Sequence, residues 1–136
     1  MHITRRERFN AAHRLFREDW SDEKNEAVFG QCSNPNWHGN NYILFVTVKG
    51  DINPETGFVV NLKDLSRILR TRVIDKIDHK NLNIEVDFMK GKIVSTENIA
   101  VAIWDQIEEE IRAIGAELHC VKIIETENNF VEYFGH

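Results

Sequence analysis

Apolar residues recur every three or four positions in the middle of the chain. The first such stretch follows Asn61, a residue type that caps helix N-termini well. Its apolar positions are Leu62, Leu65, Ile68, Leu69 and Val73. Because this spacing places all of them on one side of a helix, the pattern predicts a helix that buries this stripe.

A second stretch with the same spacing lies between residues 95 and 114. Ser95 or Thr96 is the predicted N-cap, and Glu97 stands where the helix dipole favours a negative charge. The apolar stripe consists of Ala100, Ile103, Trp104, Ile107, Ile111 and Ile114. A second amphipathic helix is therefore predicted.

Four stretches have the alternation or the residue types of β-strands. Residues 3–12 alternate loosely, and residues 42–49 (YILFVTVK) are rich in β-branched and aromatic side chains. Near the other end, residues 119–126 and 129–134 flank the turn-forming run Glu127–Asn129. The polar segment 20–29 predicts an excursion or a short helix, and residues 51–57 (DINPETG) predict a turn.

The predicted order of elements is strand, strand, helix, helix, strand, strand. Strands at both ends with helices between them indicate an α+β fold with a four-stranded antiparallel sheet and both helices on one face. Such a sheet leaves two edges open, and open edges pair readily with other copies of the chain. We therefore expect a homo-oligomer.

Composition narrows the class of protein. The 136 residues, 42% of them hydrophobic, predict one domain spanning 1–136. A net charge of −5 argues against sequence-independent binding to nucleic acid. We expect no membrane association, because no apolar run approaches the roughly 20 residues needed to cross a bilayer and no signal peptide is apparent. The two distant cysteines, Cys32 and Cys120, predict reduced thiols in a cytoplasm.

The first candidate group for chemistry consists of His13, His38 and Asn40. If the first two strands pair, the two imidazoles converge, which would begin a zinc site. A catalytic zinc site wants a third protein ligand, and Asn40 stands where that ligand is expected. An amide oxygen suits zinc less well than imidazole. The alternative is that each histidine only makes hydrogen bonds in a half-buried position.

The second candidate group joins Cys32 with Asp78 and His79. A neighbouring imidazole can help a thiol to lose its proton, and the thiolate is then able to act as base or nucleophile. Because adjacent side chains usually diverge, we expect Asp78 to assist from the side rather than to orient the ring of His79 directly. The alternative is an ordinary loop after a helix, with Cys32 as a small apolar side chain.

The third candidate is Glu125, which continues the apolar side of the strand that carries Val121 and Ile123. Its carboxylate could accept two parallel hydrogen bonds from a heterocycle such as a pterin or guanine. Glu97 could assist, although helix capping already explains that residue.

Several motifs in this order closely resemble the 6-pyruvoyl-tetrahydropterin synthase family, which includes the 6-carboxytetrahydropterin synthases of queuosine biosynthesis. The motifs are FNAAHRL (9–15), CSNPNWHGNNY (32–42), DINPETGFVVNLKDL (51–65), DHKNLN (78–83), VSTEN (94–98) and ETENN (125–129). The resemblance implies the T-fold, whose sheets close into barrels as trimers and whose trimers stack into hexamers. It implies a lyase that converts 7,8-dihydroneopterin triphosphate into 6-pyruvoyl-tetrahydropterin and triphosphate.

The resemblance also implies roles for the candidate residues. Cys32 would be the general base, assisted by Asp78 and His79 of a neighbouring subunit. Glu125 would anchor the pterin ring, with Thr96 and Glu97 nearby.

His13 and His38 match two of the family's three zinc-binding histidines, whereas the third position is Asn40 where the family has histidine. We therefore expect weakened zinc binding, unless Asn40 coordinates through oxygen or another residue substitutes.

Two other functions stay open. The 6-carboxytetrahydropterin synthase branch would release acetaldehyde and triphosphate, although five residues between Cys32 and His38 favour the pyruvoyl branch. Alternatively, the chain is a non-catalytic pterin-binding protein with a degraded zinc site. A thiol-based redox protein is disfavoured because no second cysteine lies near Cys32 in sequence.

Overall fold

The computed structural model describes residues 1–136, and its centre is one sheet of five strands in the order β3-β1-β2-β4-β5. The strands are β1 (His2–His13), β2 (His38–Lys49), β3 (Lys80–Asn81), β4 (Glu117–Thr126) and β5 (Asn129–Tyr133). The four predicted strands are present. The prediction of a four-stranded, wholly antiparallel sheet is wrong, because β3 pairs with β1 in parallel at Ala11 and Ala12. The sheet is therefore mixed.

Strands β1 and β2 form the long antiparallel ladder that positions the candidate site. Their register pairs His2 with Lys49 at one end and His13 with His38 at the other. Along β2, Tyr42, Leu44, Val46 and Val48 are buried while the residues between them are more exposed. Since successive side chains point to opposite faces of a strand, one face of the ladder lies in the core.

Side-chain caps begin the first two helices, and the cap of the second is the predicted Asn61. Helix α1 (Asp22–Phe29) occupies the predicted excursion and is capped by Ser21, whose side chain accepts from the backbone N–H of Lys24 at 3.1 Å. Helix α2 (Leu62–Leu69) is capped by Asn61 and runs through a π-helical turn (Arg70–Ile74) into the short helix α3 (Asp75–Ile77). Leu62 is 53% exposed, so the stripe of α2 starts one turn later than its apolar pattern indicates.

Helix α4 (Thr96–Ala113) is the longest helix and is capped by Ser95 rather than by Thr96. The Ser95 side chain accepts from the backbone N–H of Asn98 at 3.2 Å. Five of its six stripe residues are buried, and Ile114 packs partly buried against the same core. Neither α4 nor any other helix combines the length and the apolarity that crossing a bilayer requires.

The buried apolar residues form one continuous cluster between the helices and one face of the sheet. Helix α4 packs against β4 and β5, and α2 packs against β1. On the other face, alternate residues of β1 such as Thr4, Arg6 and Arg8 are exposed. Helices α2 and α4 thus cover a single face of the sheet, as predicted.

Candidate metal and substrate site

The site lies where β1 ends and β2 begins. His13 and His38 are paired across the ladder, and their ring centroids are 4.3 Å apart. His13 is 1% exposed, and its Nδ1 lies 2.9 Å from the carbonyl oxygen of Val94. A carbonyl can only accept, so Nδ1 carries the proton and Nε2 presents a lone pair to the site. The predicted convergence of the two histidines is therefore confirmed.

Asn40 fills the position beside this lone pair. Its Nδ2 lies 3.1 Å from Nε2 of His13 and 3.4 Å from the hydroxyl of Tyr42. Because Nε2 of His13 is an acceptor, the amide group that faces it is the NH₂ donor. In this arrangement Asn40 satisfies His13 by a hydrogen bond, and its amide oxygen points elsewhere.

Glu125 joins the cluster from β4. Its Oε1 lies 3.6 Å from Nε2 of His13. One ligand atom each from His13, His38 and Glu125 lie within 4.8 Å of one another. The sequence pattern places Glu125 beside the core but gives no sign of this contact, because β1 and β4 are not neighbours in the sheet. Only the β2 strand between them brings the two residues together.

Two observations fit a metal ion at this cluster. Nδ1 of His38 is the one buried side-chain polar atom without a hydrogen-bond partner, although buried polar atoms are nearly always paired. Nε2 of His13 also lies 3.6 Å from a carboxylate oxygen of Glu125, and two acceptors approach each other favourably when a cation or a proton lies between them. His13, His38 and Glu125 are the residues that could hold this ion.

Burial controls the protonation of the groups around the cluster. It lowers the pKa of His13, His38 lowers it further, and the carbonyl of Val94 and the carboxylate of Glu125 act in the opposite direction. Burial also raises the pKa of the Tyr42 hydroxyl, and the charges of Glu125 and Cys32 add to this shift. The site therefore favours a neutral His13 imidazole, the form that binds metals.

Cys32 lies in a 3₁₀ turn (Gly30–Ser33) next to this cluster. Its carbonyl accepts from the backbone N–H of Leu15 at 2.8 Å, which fixes the turn to the chain just after β1. The residue is partly exposed and unpaired with Cys120. Leu15 lies two residues after His13, so the turn that carries Cys32 lies beside the end of β1 that carries the histidine cluster.

Asp78 and His79 lie at the outer edge of β1, beside β3. One carboxylate oxygen of Asp78 accepts from the backbone N–H of Asn10 at 2.9 Å, and this contact chiefly lowers the pKa of Asp78. The other oxygen lies 3.0 Å from Nδ1 of His79. His79 has φ = 60°, and its side chain turns back so that Nδ1 lies within ion-pair distance of Asp78.

Within one chain, this pair is separate from the histidine cluster. His79 is 81% exposed, and neither Asp78 nor His79 forms a hydrogen bond or ion pair with Cys32, His13, His38 or Glu125. Asn10, which holds Asp78, projects to the sheet face opposite His13, because the two are three residues apart on one strand. One chain thus carries the candidate catalytic groups in two places.

Thr96 and Glu97 begin helix α4 close to the histidine cluster. The link is Val94, whose carbonyl binds His13 two residues before the helix starts. Thr96 is 6% exposed, whereas Glu97 is exposed. The carboxylate of Glu97 is therefore accessible to solvent or a ligand, whereas the Thr96 side chain is largely covered.

The model of the family described as 6-pyruvoyl tetrahydropterin synthase matches residues 2–136. The chain belongs to this family. A 6-pyruvoyl tetrahydrobiopterin synthase from Pongo abelii is 45% identical over 133 residues, covering 98% of this chain and 90% of the relative. A solved 6-pyruvoyl tetrahydropterin synthase structure from Caenorhabditis elegans superposes with a TM-score of 0.92 at 34% identity, covering 100% of this chain and 96% of that chain.

A relative from the other branch of the family is more distant. The 6-carboxy-5,6,7,8-tetrahydropterin synthase of Bacillus subtilis is 29% identical over 109 residues, covering 76% of this chain and 70% of the relative. The pyruvoyl branch is therefore favoured, in agreement with the gap between Cys32 and His38.

Sequence reasoning missed two residues that support the site of this family member. Arg14 donates from Nε to the carbonyl of Ser33 at 2.7 Å, and its backbone exchanges two hydrogen bonds of 2.9 Å with the side chain of Asn83. Arg14 thereby joins the Cys32 turn to the loop after β3. Its position next to His13 in the FNAAHRL motif was the only available signal.

Proposed function

We propose that this chain is a 6-pyruvoyl tetrahydropterin synthase, a lyase that converts 7,8-dihydroneopterin triphosphate into 6-pyruvoyl-tetrahydropterin and triphosphate. The observation that carries this proposal is the meeting of His13, His38 and Glu125 beside the Cys32 turn, in a chain matched by the family over residues 2–136. The relative from Pongo abelii and the C. elegans structure, both named as synthases of the pyruvoyl branch, support it.

The reaction eliminates triphosphate and moves hydrogen within the substrate. One hydroxyl carbon becomes a carbonyl as its two hydrogens pass to the C=N bond of the dihydropterin ring. The second carbonyl forms when elimination of triphosphate leaves an enol that tautomerises to a methyl ketone, so no external oxidant or reductant is required. Cys32, as the thiolate, removes the carbon-bound protons of the side chain and returns them where the product needs them. A bound zinc ion would polarise the side-chain oxygens and so acidify those carbons.

Asp78 and His79 act as the second proton-transfer group. The carboxylate oxygen 3.0 Å from Nδ1 positions the imidazole, as a carboxylate does in other acid–base pairs. Because His79 is exposed at the sheet edge, it is available to a site on a neighbouring copy of the chain. This supports an active site formed between subunits.

The pterin ring binds beside the proton-transfer groups. Glu125 accepts hydrogen bonds from the ring's guanidine-like edge, and Thr96 and Glu97 at the start of α4 complete the ring pocket. Glu125 has a side chain 28% exposed, which leaves part of its carboxylate accessible to a ligand.

The assembly we propose is a trimer whose sheets join edge to edge in a barrel, with two trimers stacked into a hexamer. The sheet offers β5 at one edge and the two-residue β3 at the other, so most of the outer edge of β1 has no partner within the chain. The cytoplasm suits two cysteines that are not paired with each other.

Incubation of the purified chain with 7,8-dihydroneopterin triphosphate, with and without added Zn²⁺, tests this function. Mass identification of 6-pyruvoyl-tetrahydropterin is the expected result. Formation of 6-carboxytetrahydropterin with acetaldehyde would instead assign the chain to the queuosine branch. Failure to form either product under both conditions would favour a non-catalytic pterin-binding protein.

A further inference from the structure

We propose that Glu125, rather than Asn40, is the third protein ligand of the metal ion in this chain. The site would then have two imidazoles and one carboxylate, His13, His38 and Glu125, in place of the family's three imidazoles. The inference rests on the proposed function only in taking zinc as the ion.

In its present orientation, the side chain of Asn40 is not a metal ligand, because of its hydrogen bond to His13. Nδ1 of His13 is bound to the Val94 carbonyl, so Nε2 is the nitrogen that a metal would occupy. The amide of Asn40 already presents its NH₂ group to this nitrogen at 3.1 Å. An NH₂ group cannot coordinate a cation, and a metal on Nε2 of His13 would displace Nδ2 of Asn40 towards the Tyr42 hydroxyl, which lies 3.4 Å from Nδ2.

Glu125 has the geometry that Asn40 lacks. Ligand atoms about 2.0–2.1 Å from a tetrahedral zinc lie about 3.4 Å from one another. The 3.6 Å between Nε2 of His13 and Oε1 of Glu125 is close to that separation. His38 completes a group of ligand atoms within 4.8 Å, so binding requires side-chain adjustments of about 1 Å for that residue.

The chemistry of the three donors is suited to a catalytic ion. Two histidines and one glutamate form a known catalytic zinc set, which leaves a coordination position for water or substrate. The carboxylate also supplies a negative charge that an amide does not. One carboxylate oxygen on the metal leaves the other able to accept a single hydrogen bond from a ligand, in place of the two parallel hydrogen bonds that an unbound carboxylate can accept.

The test is a double-mutant cycle of Zn²⁺ affinity, measured on the full chain without substrate by competition with a chelating indicator. The variants are Glu125→Gln, Asn40→His and the combination of both. Glu127→Gln removes an exposed carboxylate from the neighbouring turn and serves as the control. Thermal unfolding establishes that each variant is folded, and Glu125→His provides a second replacement that restores a ligand.

We expect the native chain to bind one Zn²⁺, and Glu125→Gln to weaken that binding at least tenfold while Glu127→Gln leaves it unchanged. Asn40→His should tighten binding, and in that background Glu125→Gln should change the affinity less than threefold. Glu125→His should keep one Zn²⁺ per chain. The proposal is overturned if the native chain binds no Zn²⁺, or if Glu125→Gln has no effect or the same effect in both backgrounds.

The outcome is separable from that of the proposed function. If the chain forms product but Glu125→Gln does not change its Zn²⁺ affinity, Glu125 is not a metal ligand and the proposed lyase activity stands. If the variants show the expected Zn²⁺ affinities but the chain forms no product, the metal site stands and the lyase activity is rejected.

Discussion

The guanidinium Nε of Arg14 donates a hydrogen bond of 2.7 Å to the backbone carbonyl of Ser33, one residue after Cys32. The backbone of Arg14 is held at the same time by Asn83, in the loop that follows His79 and β3. One residue thus connects both loops that carry the proposed proton-transfer groups.

Arg14→Ala is expected to lower kcat by about tenfold, because small displacements of a catalytic group cost rate steeply. Zn²⁺ affinity should stay unchanged, since Arg14 makes no hydrogen bond to the metal cluster. The measurements are steady-state kinetics and metal titration. Arg14→Lys, which retains a donor, should recover part of the rate, whereas a loss confined to KM would contradict a positioning role.

Mixing two inactive variants tests the shared active site. Cys32→Ala and His79→Ala should each lose turnover when pure. Reassembly of equal amounts should recover up to about a quarter of native activity, because that fraction of interfaces combines an intact Cys32 with an intact His79. Activity after co-refolding is the measurement. If the mixture stays inactive while light scattering shows mixed oligomers, both residues would serve the same subunit's site.

The two cysteines should differ in reactivity with iodoacetamide. Burial raises the pKa of Cys120, with Glu132 adding to the shift, so less of its thiol is ionised at neutral pH. Cys120 is also only 6% exposed, whereas Cys32 is partly exposed. Mass spectrometry after alkylation of the folded chain should find the label at Cys32 first, and Cys32→Ser should abolish the fast phase. Faster labelling of Cys120 would show that its strand is open in solution.

Asn25 is a buried polar residue that holds the segment leading into α1. It is 3% exposed; its Oδ1 accepts from the backbone N–H of Arg17 at 2.8 Å, and its Nδ2 contacts the carbonyls of Arg17, Trp20 and Ser21. Asn25→Ala should destabilise the fold by about 2–3 kcal/mol, because several buried backbone groups lose their partner. Urea unfolding measures this.

The control for Asn25→Ala is Asn36→Ala, at an exposed asparagine whose side chain forms no hydrogen bond. It should change the free energy of unfolding by less than about 0.5 kcal/mol. Equal effects of the two substitutions would mean that burial of Asn25 contributes nothing.

Much of the fold follows from local pattern. The stripe of α4, the cap at Asn61 and the alternation along β2 each report a periodicity that a strand or helix imposes on its own residues, so they can be read without the rest of the chain. The convergence of His13 and His38 required only one further step, the pairing of two strands.

Tertiary structure decided the remainder. Strand β3 has two residues, too few for any periodicity, and exists only because β1 offers it backbone partners. His79 reaches the Asp78 carboxylate because its φ is positive, and no residue type at this position predicts a positive φ. Glu125 meets His13 across an intervening strand, although 111 residues separate them in the chain (positions 14–124). Sequence alone determined the two amphipathic helices, the four longer strands and most of the chemical groups, because these depend on neighbours along the chain. Which groups touch depends on strand order and backbone angles, which only the folded chain settles.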